Sequence, residues 1–84
     1  MDIKESVLGF FAKQGIVKDL NISKQFEYNY VENGALDSAG IVEMITEFEE
    51  SLGIQFSTDD FQSEEFQTIG GLVGIIERLR INND

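Results

Sequence analysis

Residues 38–52 carry the pattern that most restricts how this chain can fold. Ile41, Met44, Ile45, Phe48 and Leu52 recur at three- and four-residue spacing. At about 100° per residue they fall within one arc of roughly 100°, the mark of a helix with a single buried face. Asp37-Ser38 precedes the run and Gly53 follows it, a start signal and a stop signal. An apolar stripe of this kind must be covered by another element of the chain. The far side is not uniformly polar. Ala39, Val42 and Thr46 form a strip bordered by Glu43, Glu49 and Glu50. A purely solvated face has no need of Val42, although one exposed valine is ordinary in itself.

The flanking segments supply the other helices. Ile3, Val7, Phe10 and Phe11 share one face of a helix over about Asp2 to Gln14, opened by an Asp2/Glu5 capping pair and stopped by Gly15. Ile69, Leu72, Val73, Ile76 and Leu79 make the buried face of a last helix, Ile69 to about Arg80, capped by Thr68. Its Gly70, Gly71 and Gly74 each cost about 1 kcal/mol against alanine in a helix interior. They are expected as sites of close helix approach and not as a phosphate loop. Arg78 and Arg80 suit the negative end of that helix, and Asn82-Asn83-Asp84 should fray. Ser57 followed by Asp60 predicts a short helix between Asp59 and Phe66. Residues Ile16 to Leu36 lack a strong helical signal. Phe26, Tyr28 and Tyr30 alternate like a strand, but with no partner strand in sight an ordered loop is the expectation. The fold class is therefore all-α: three main helices, one short helix and a long first loop.

Composition narrows the chemistry. The 84 residues include no Cys, so there is no thiolate nucleophile, disulfide or Cys-based zinc site. With no His there is no imidazole base. Six Lys and Arg stand against sixteen Asp and Glu, a net charge of −10. That excess disfavours nucleic acid and anionic membranes and points to basic protein surfaces. The carboxylates crowd one exposed helix, where nothing would tune a pKa for catalysis. No EF-hand pattern occurs, so no dedicated metal site is expected, and no G-x-G-x-x-G or Walker sequence marks a phosphate loop. The N-terminus has no basic start followed by an apolar core, and no run is long enough to span a bilayer. A single, intact, monomeric, cytoplasmic domain over residues 1–84 is expected. Carboxylate repulsion should make its stability sensitive to salt or magnesium.

One hydroxyl stands apart. Ser38 opens the central helix, where either it or Asp37 can serve as the N-cap. Unpaired N–H groups at a helix start also favour a phosphate, so a serine there is a good phosphodiester anchor.

From Gly34-Ala35-Leu36-Asp37-Ser38 onward the sequence resembles the phosphopantetheine-dependent acyl carrier and peptidyl carrier family. The likeness runs through Gly40-Ile41-Val42-Glu43, Glu47-Phe48-Glu49-Glu50 and Leu52-Gly53-Ile54. It resumes at Asp59-Asp60-Phe61 and Phe66-Gln67-Thr68-Ile69. The resemblance implies an acyl-carrier-protein-like bundle without catalytic activity of its own. It implies 4′-phosphopantetheine on Ser38, installed from coenzyme A by a holo-carrier-protein synthase. An acyl or aminoacyl group would ride the arm as a thioester. Asp37 matches the family residue that helps the synthase engage. Ala39, Val42, Glu43, Thr46, Glu49 and Glu50 match the helix that meets partner enzymes: a loading ligase or adenylation enzyme, then acyltransferases or condensing enzymes. Asp60-Phe61 and Phe66-Gln67-Thr68-Ile69 are more similar to stand-alone aminoacyl, D-alanyl and peptidyl carriers than to fatty-acid carriers. Ala39 stands where the family usually has a large apolar residue, which implies a shallower or different pocket on the partner. It also leaves a second reading, an unmodified acidic adaptor or inhibitor of the same fold. Met44, Ile45, Phe48 and the loop aromatics are either plain core or the lining of a gap for an acyl chain.

Overall fold

A computed structural model describes residues 2–82. Five α-helices and one short 3-10 helix follow in order: α1 Ile3–Lys13, α2 Ile22–Glu27, α3 Ser38–Leu52, α4 Thr58–Gln62, the 3-10 helix Glu64–Gln67, and α5 Ile69–Asn82. None of the described helices is long and apolar enough to cross a membrane.

The three main helices lie where the periodicity puts them. The Asp2 side chain accepts from the Glu5 amide at the start of α1, and Val7, Phe10 and Phe11 are buried. α3 buries Met44, Phe48 and Leu52 and ends on Gly53, whose φ of 65° is a conformation that glycine adopts without strain. α5 buries Ile69, Leu72, Val73 and Ile76 as expected, and Ile75 as well. With Ile75 inside, α5 is covered over most of its circumference and forms the axis of the molecule. It reaches Asn82, and the remainder of the tail expected to fray lies outside the described residues.

Two glycines of α5 admit their neighbours' backbones. A Cβ on Gly71 would stand 1.9 Å from the Glu65 carbonyl oxygen, and one on Gly70 would stand 2.9 Å from that of Phe26. The close approach expected of these glycines is therefore real, with α2 over Gly70 and the 3-10 helix over Gly71. At Gly74 the nearest atom lies 3.6 Å away, an ordinary contact. Arg78 does not serve the helix end: its guanidinium binds both oxygens of Glu65, at 3.0 and 3.1 Å.

The long first loop departs from expectation in two ways. It contains α2, opened by the Asn21 side chain accepting from the Lys24 amide at 2.9 Å. α2 has only six residues and buries none of them, so it leaves almost no periodic signal. The alternating Phe26-Tyr28-Tyr30 stretch does find a partner. Asn29 forms an isolated antiparallel bridge with Thr68. The Tyr30 amide donates to Gln67 O at 3.1 Å, and the Ile69 amide donates to Tyr28 O at 3.2 Å. Extended backbone pairs here with the linker before α5, not with a strand.

The expected third helix is split. Ser57 and Asp60 form a reciprocal capping box, but Ser63 is extended and divides α4 from the 3-10 helix. Aromatic rings tie these pieces to the core. Phe10, Phe11 and Tyr30 follow one another at 5.4 and 5.1 Å, and Tyr30 meets Phe66 at 6.3 Å between ring centroids. Tyr30 is fully buried, and its hydroxyl donates to the Phe66 carbonyl. Loss of hydration pushes that phenol above its ordinary pKa.

Candidate functional site

The start of α3 is built by the turn before it. The Asn29 side-chain oxygen accepts from the amides of Val31 and Glu32, at 3.0 and 2.7 Å. Gly34 then reverses the chain with φ of 62°. Leu36 tucks against Gly40, where an added Cβ would lie 3.4 Å from it. The chain thus arrives at Asp37 in extended conformation and turns into helix at Ser38.

The question of which residue caps α3 is settled by geometry. Asp37 Oδ1 accepts from the Gly40 amide at 2.7 Å, and its main-chain oxygen accepts from Ile41 at 2.9 Å. Asp37 is the N-cap and Ser38 is the first helical residue. Ser38 is therefore relieved of capping. It is exposed, and its hydroxyl makes no hydrogen bond among the described residues. Among the other serines, Ser51 and Ser63 donate to main-chain oxygens and Ser57 accepts from the Asp60 amide. Ser6 and Ser23 are also without side-chain hydrogen bonds among the described residues, and Ser38 differs from them in standing at the head of the 15-residue α3. The amides of Ser38 and Ala39 also lack acceptors among the described residues. Two bare N–H groups at the head of a 15-residue helix give a local positive potential. A free hydroxyl beside them suits a phosphodiester, because the anion would meet donors and dipole at once.

The strip expected on the far side of α3 is largely present. Ala39, Val42, Glu43, Thr46 and Glu50 are all exposed, Val42 by 61%. Glu49 is not part of that open border. It is half-buried, and its carboxylate accepts from the Phe56 amide at 3.0 Å. The segment after Gly53 folds back over this side of α3, so Glu49 ties the loop to the helix. Two open depressions adjoin the strip. One of about 610 Å³ runs between α1 and α3, with Phe10, Gln14, Val42 and Thr46 among its walls and Glu47 on its rim. The other, about 550 Å³, lies at the head of α3 between Gln14, Leu36, Ala39 and Glu43. The wall formed by Phe10 and Gln14 does not emerge from a wheel of α3 taken alone, because the depression exists only where two helices diverge.

Met44 and Phe48, 0% and 1% exposed, are plain core. Among the described residues no three His, Cys, Asp or Glu side chains come together as a metal site, and no charged side chain is buried. The arrangement offers attachment and contact. It offers no tuned acid or base.

Comparison with known proteins bears on the same residues. A family described as "Phosphopantetheine attachment site" matches residues 19–76. The D-alanyl carrier protein 1 of Lactiplantibacillus plantarum is 30% identical over 79 residues, covering 94% of this chain and 95% of that one. The D-alanyl carrier protein of Leuconostoc mesenteroides is also 30% identical over 79 residues, covering 94% and 97%. That of Streptococcus suis is 30% identical over 83 residues, covering 94% and 98%.

Proposed function

The chain belongs to the phosphopantetheine carrier family, and from that premise we propose that Ser38 is its attachment residue. It is a carrier, not an enzyme, and its prosthetic group is covalent 4′-phosphopantetheine. When bound, that group supplies the thiol on which intermediates are held as thioesters. The observation that carries the assignment is the free, exposed Ser38 hydroxyl at the head of α3, with capping delegated to Asp37.

The protein's own residues divide the remaining work. Asp37 holds the first turn of α3 closed through Oδ1, which fixes where Ser38 stands. Its second oxygen has no partner among the described residues and faces the holo-synthase. Val42, with Ala39 and Thr46, gives an apolar centre to the docking face, and Glu43 and Glu50 give it an acidic border. Exposed ion pairs contribute about 0–1 kcal/mol each, so docking is transient and salt-sensitive. Complementary charge speeds the encounter more than it tightens the complex. A shuttle visiting several enzymes needs that balance. The partners are the holo-synthase, an ATP-dependent ligase that loads an amino acid, and an acyltransferase that removes it. The relatives' names favour a small aminoacyl cargo of the D-alanyl type. The work is placed in the cytoplasm, where coenzyme A is available.

Incubation with coenzyme A, magnesium and a broad-specificity holo-synthase, followed by intact-mass measurement, tests the assignment. The wild type gains one phosphopantetheinyl group and Ser38→Ala gains none. An unmodified wild type, or a modified Ser38→Ala, overturns it.

A further inference from the structure

The segment leading to Ser38 is fastened to a distant part of the chain through one side chain. Asn29 Nδ2 donates to Gln67 Oε1 at 3.2 Å, across 38 residues. Its Oδ1 accepts from Val31 and Glu32, and its main-chain oxygen accepts from the Asn33 amide at 3.2 Å and the Asn33 side chain at 2.8 Å. Asn29 thus uses its acceptor oxygens to close the turn and its donor to tie that turn to the 3-10 helix. The Ala35 amide then donates to Tyr30 O at 3.0 Å, and two residues later Asp37 caps α3. The chain of hydrogen bonds runs without a break from the head of α5 to within two residues of the cap. Gln67 is itself held by the Tyr30 amide and lies between Phe66 and Thr68, which anchor to the core and to α5. The reference point for the Ser38 turn is therefore the axis of the fold.

We propose that Asn29 is a positioning residue for the modification of Ser38, acting by fixing the turn that sets the height and direction of the α3 head. This rests on the reading that Ser38 is the attachment residue. The side chain is half-buried and sits nine residues before Ser38, so it works through the turn and not by touching the reacting atoms. Only Ala39 of the docking strip adjoins Ser38; Val42 and Thr46 lie one and two turns further along α3. Loss of the Asn29 contacts displaces the hydroxyl and leaves that larger part of the strip in place. A group-transfer reaction is steep in such displacement: misplacement by about 1 Å costs on the order of a hundredfold.

The test is steady-state transfer from coenzyme A by a holo-synthase with magnesium, at varied carrier concentration and read by intact mass. Asn29→Leu is expected to lower kcat by about tenfold or more while KM for the carrier stays within about twofold. Asn29→Asp restores most of kcat, because a carboxylate accepts from the same two amides and the Gln67 amide turns its NH₂ toward it. Gln67→Leu, which cuts only the tie to the 3-10 helix, gives an intermediate loss. In amide NMR spectra the Asn29→Leu changes concentrate at residues 31–40 and spare α5. A folded Asn29→Leu with wild-type kcat, a loss confined to KM, or an Asn29→Asp as slow as Asn29→Leu overturns the proposal. If Asn29→Leu does not fold, Gln67→Leu carries the test, and wild-type kcat in that variant overturns it. A wild type that gains no mass instead refutes the Ser38 assignment itself. A loaded wild type with an equally fast Asn29→Leu refutes only the role of Asn29.

Discussion

α3 and α5 begin in the same way and are used in opposite ways. Each opens on a side-chain cap: Asp37 accepts from Gly40, and Thr68 accepts from Gly71 at 3.0 Å. Beyond that bond they diverge. At α5 the first amide donates to Tyr28 O, and the carbonyls of Phe26 and Glu65 crowd against Gly70 and Gly71. The first amide of that head is answered by backbone from elsewhere in the chain, and the helix start is covered. At α3 the first two amides stay bare, and the residue beside them is a serine with a free hydroxyl. A helix head covered by tertiary structure is a joint, and one left open is a place to attach an anion. The difference lies outside both helices, in what the rest of the chain lays over them.

The comparison breaks most visibly at the glycines. Gly71→Ala puts a Cβ where the Glu65 carbonyl stands. Overpacking against backbone costs about 3 kcal/mol or more. Gly40→Ala at α3 meets only side chains, 3.2 Å at Asp37 and 3.4 Å at Leu36. It also gains helix propensity, so its net cost is expected within about 1 kcal/mol. Urea unfolding of both variants checks this, and equal costs would erase the distinction between a covered and an open head.

Next in size is the reversal of the open face. Glu43→Lys with Glu50→Lys is expected to lower kcat/KM for the holo-synthase by about tenfold at low salt, less at high salt. Folding stability should stay within about 0.5 kcal/mol, since surface changes away from special contacts do little. An equivalent double change that leaves kcat/KM intact would place docking elsewhere.

The caps come third. Asp37→Ala should cost about 1 kcal/mol of stability. Thr68→Ala should cost at least as much, because its bond is part-buried. A larger loss at Asp37 than at Thr68 would reverse that order.

The smallest effect is a pH dependence. The Arg78 hydrogen bond holds the Glu65 carboxyl below the usual glutamate range. A lowered folded-state pKa gives stability that is complete above the unfolded value of 4.5 and is lost as pH falls through the folded value. Arg78→Met should therefore flatten part of the acid slope of the urea midpoint. Both groups are exposed, so the change is small. An unchanged slope would mean that the pair contributes nothing to the 3-10 joint.

How much of this was legible beforehand follows from the range of the forces. α3 announces itself because fifteen residues of periodicity and a terminal glycine are local signals. The glycines of α5 signal close approach because nothing local justifies them. By contrast, α2 is short and buries nothing, and the pairing of Tyr28–Tyr30 with Gln67–Ile69 is a contact between residues some forty positions apart. Neither leaves a local trace. Glu49 shows the same limit inside a well-read helix. On a wheel it sits beside Val42, but the wheel does not contain the Phe56 amide that claims its carboxylate. The choice between Asp37 and Ser38 as cap also needed coordinates, since both residue types cap well.

The most direct test of the open head of α3 is fragmentation mass spectrometry of the enzymatically loaded protein. The chain has six serines, including the helix-capping Ser57. All of the phosphopantetheine is expected on fragments that contain Ser38. Phosphopantetheine found on Ser57 or any other hydroxyl, with Ser38 unmodified, would contradict the account.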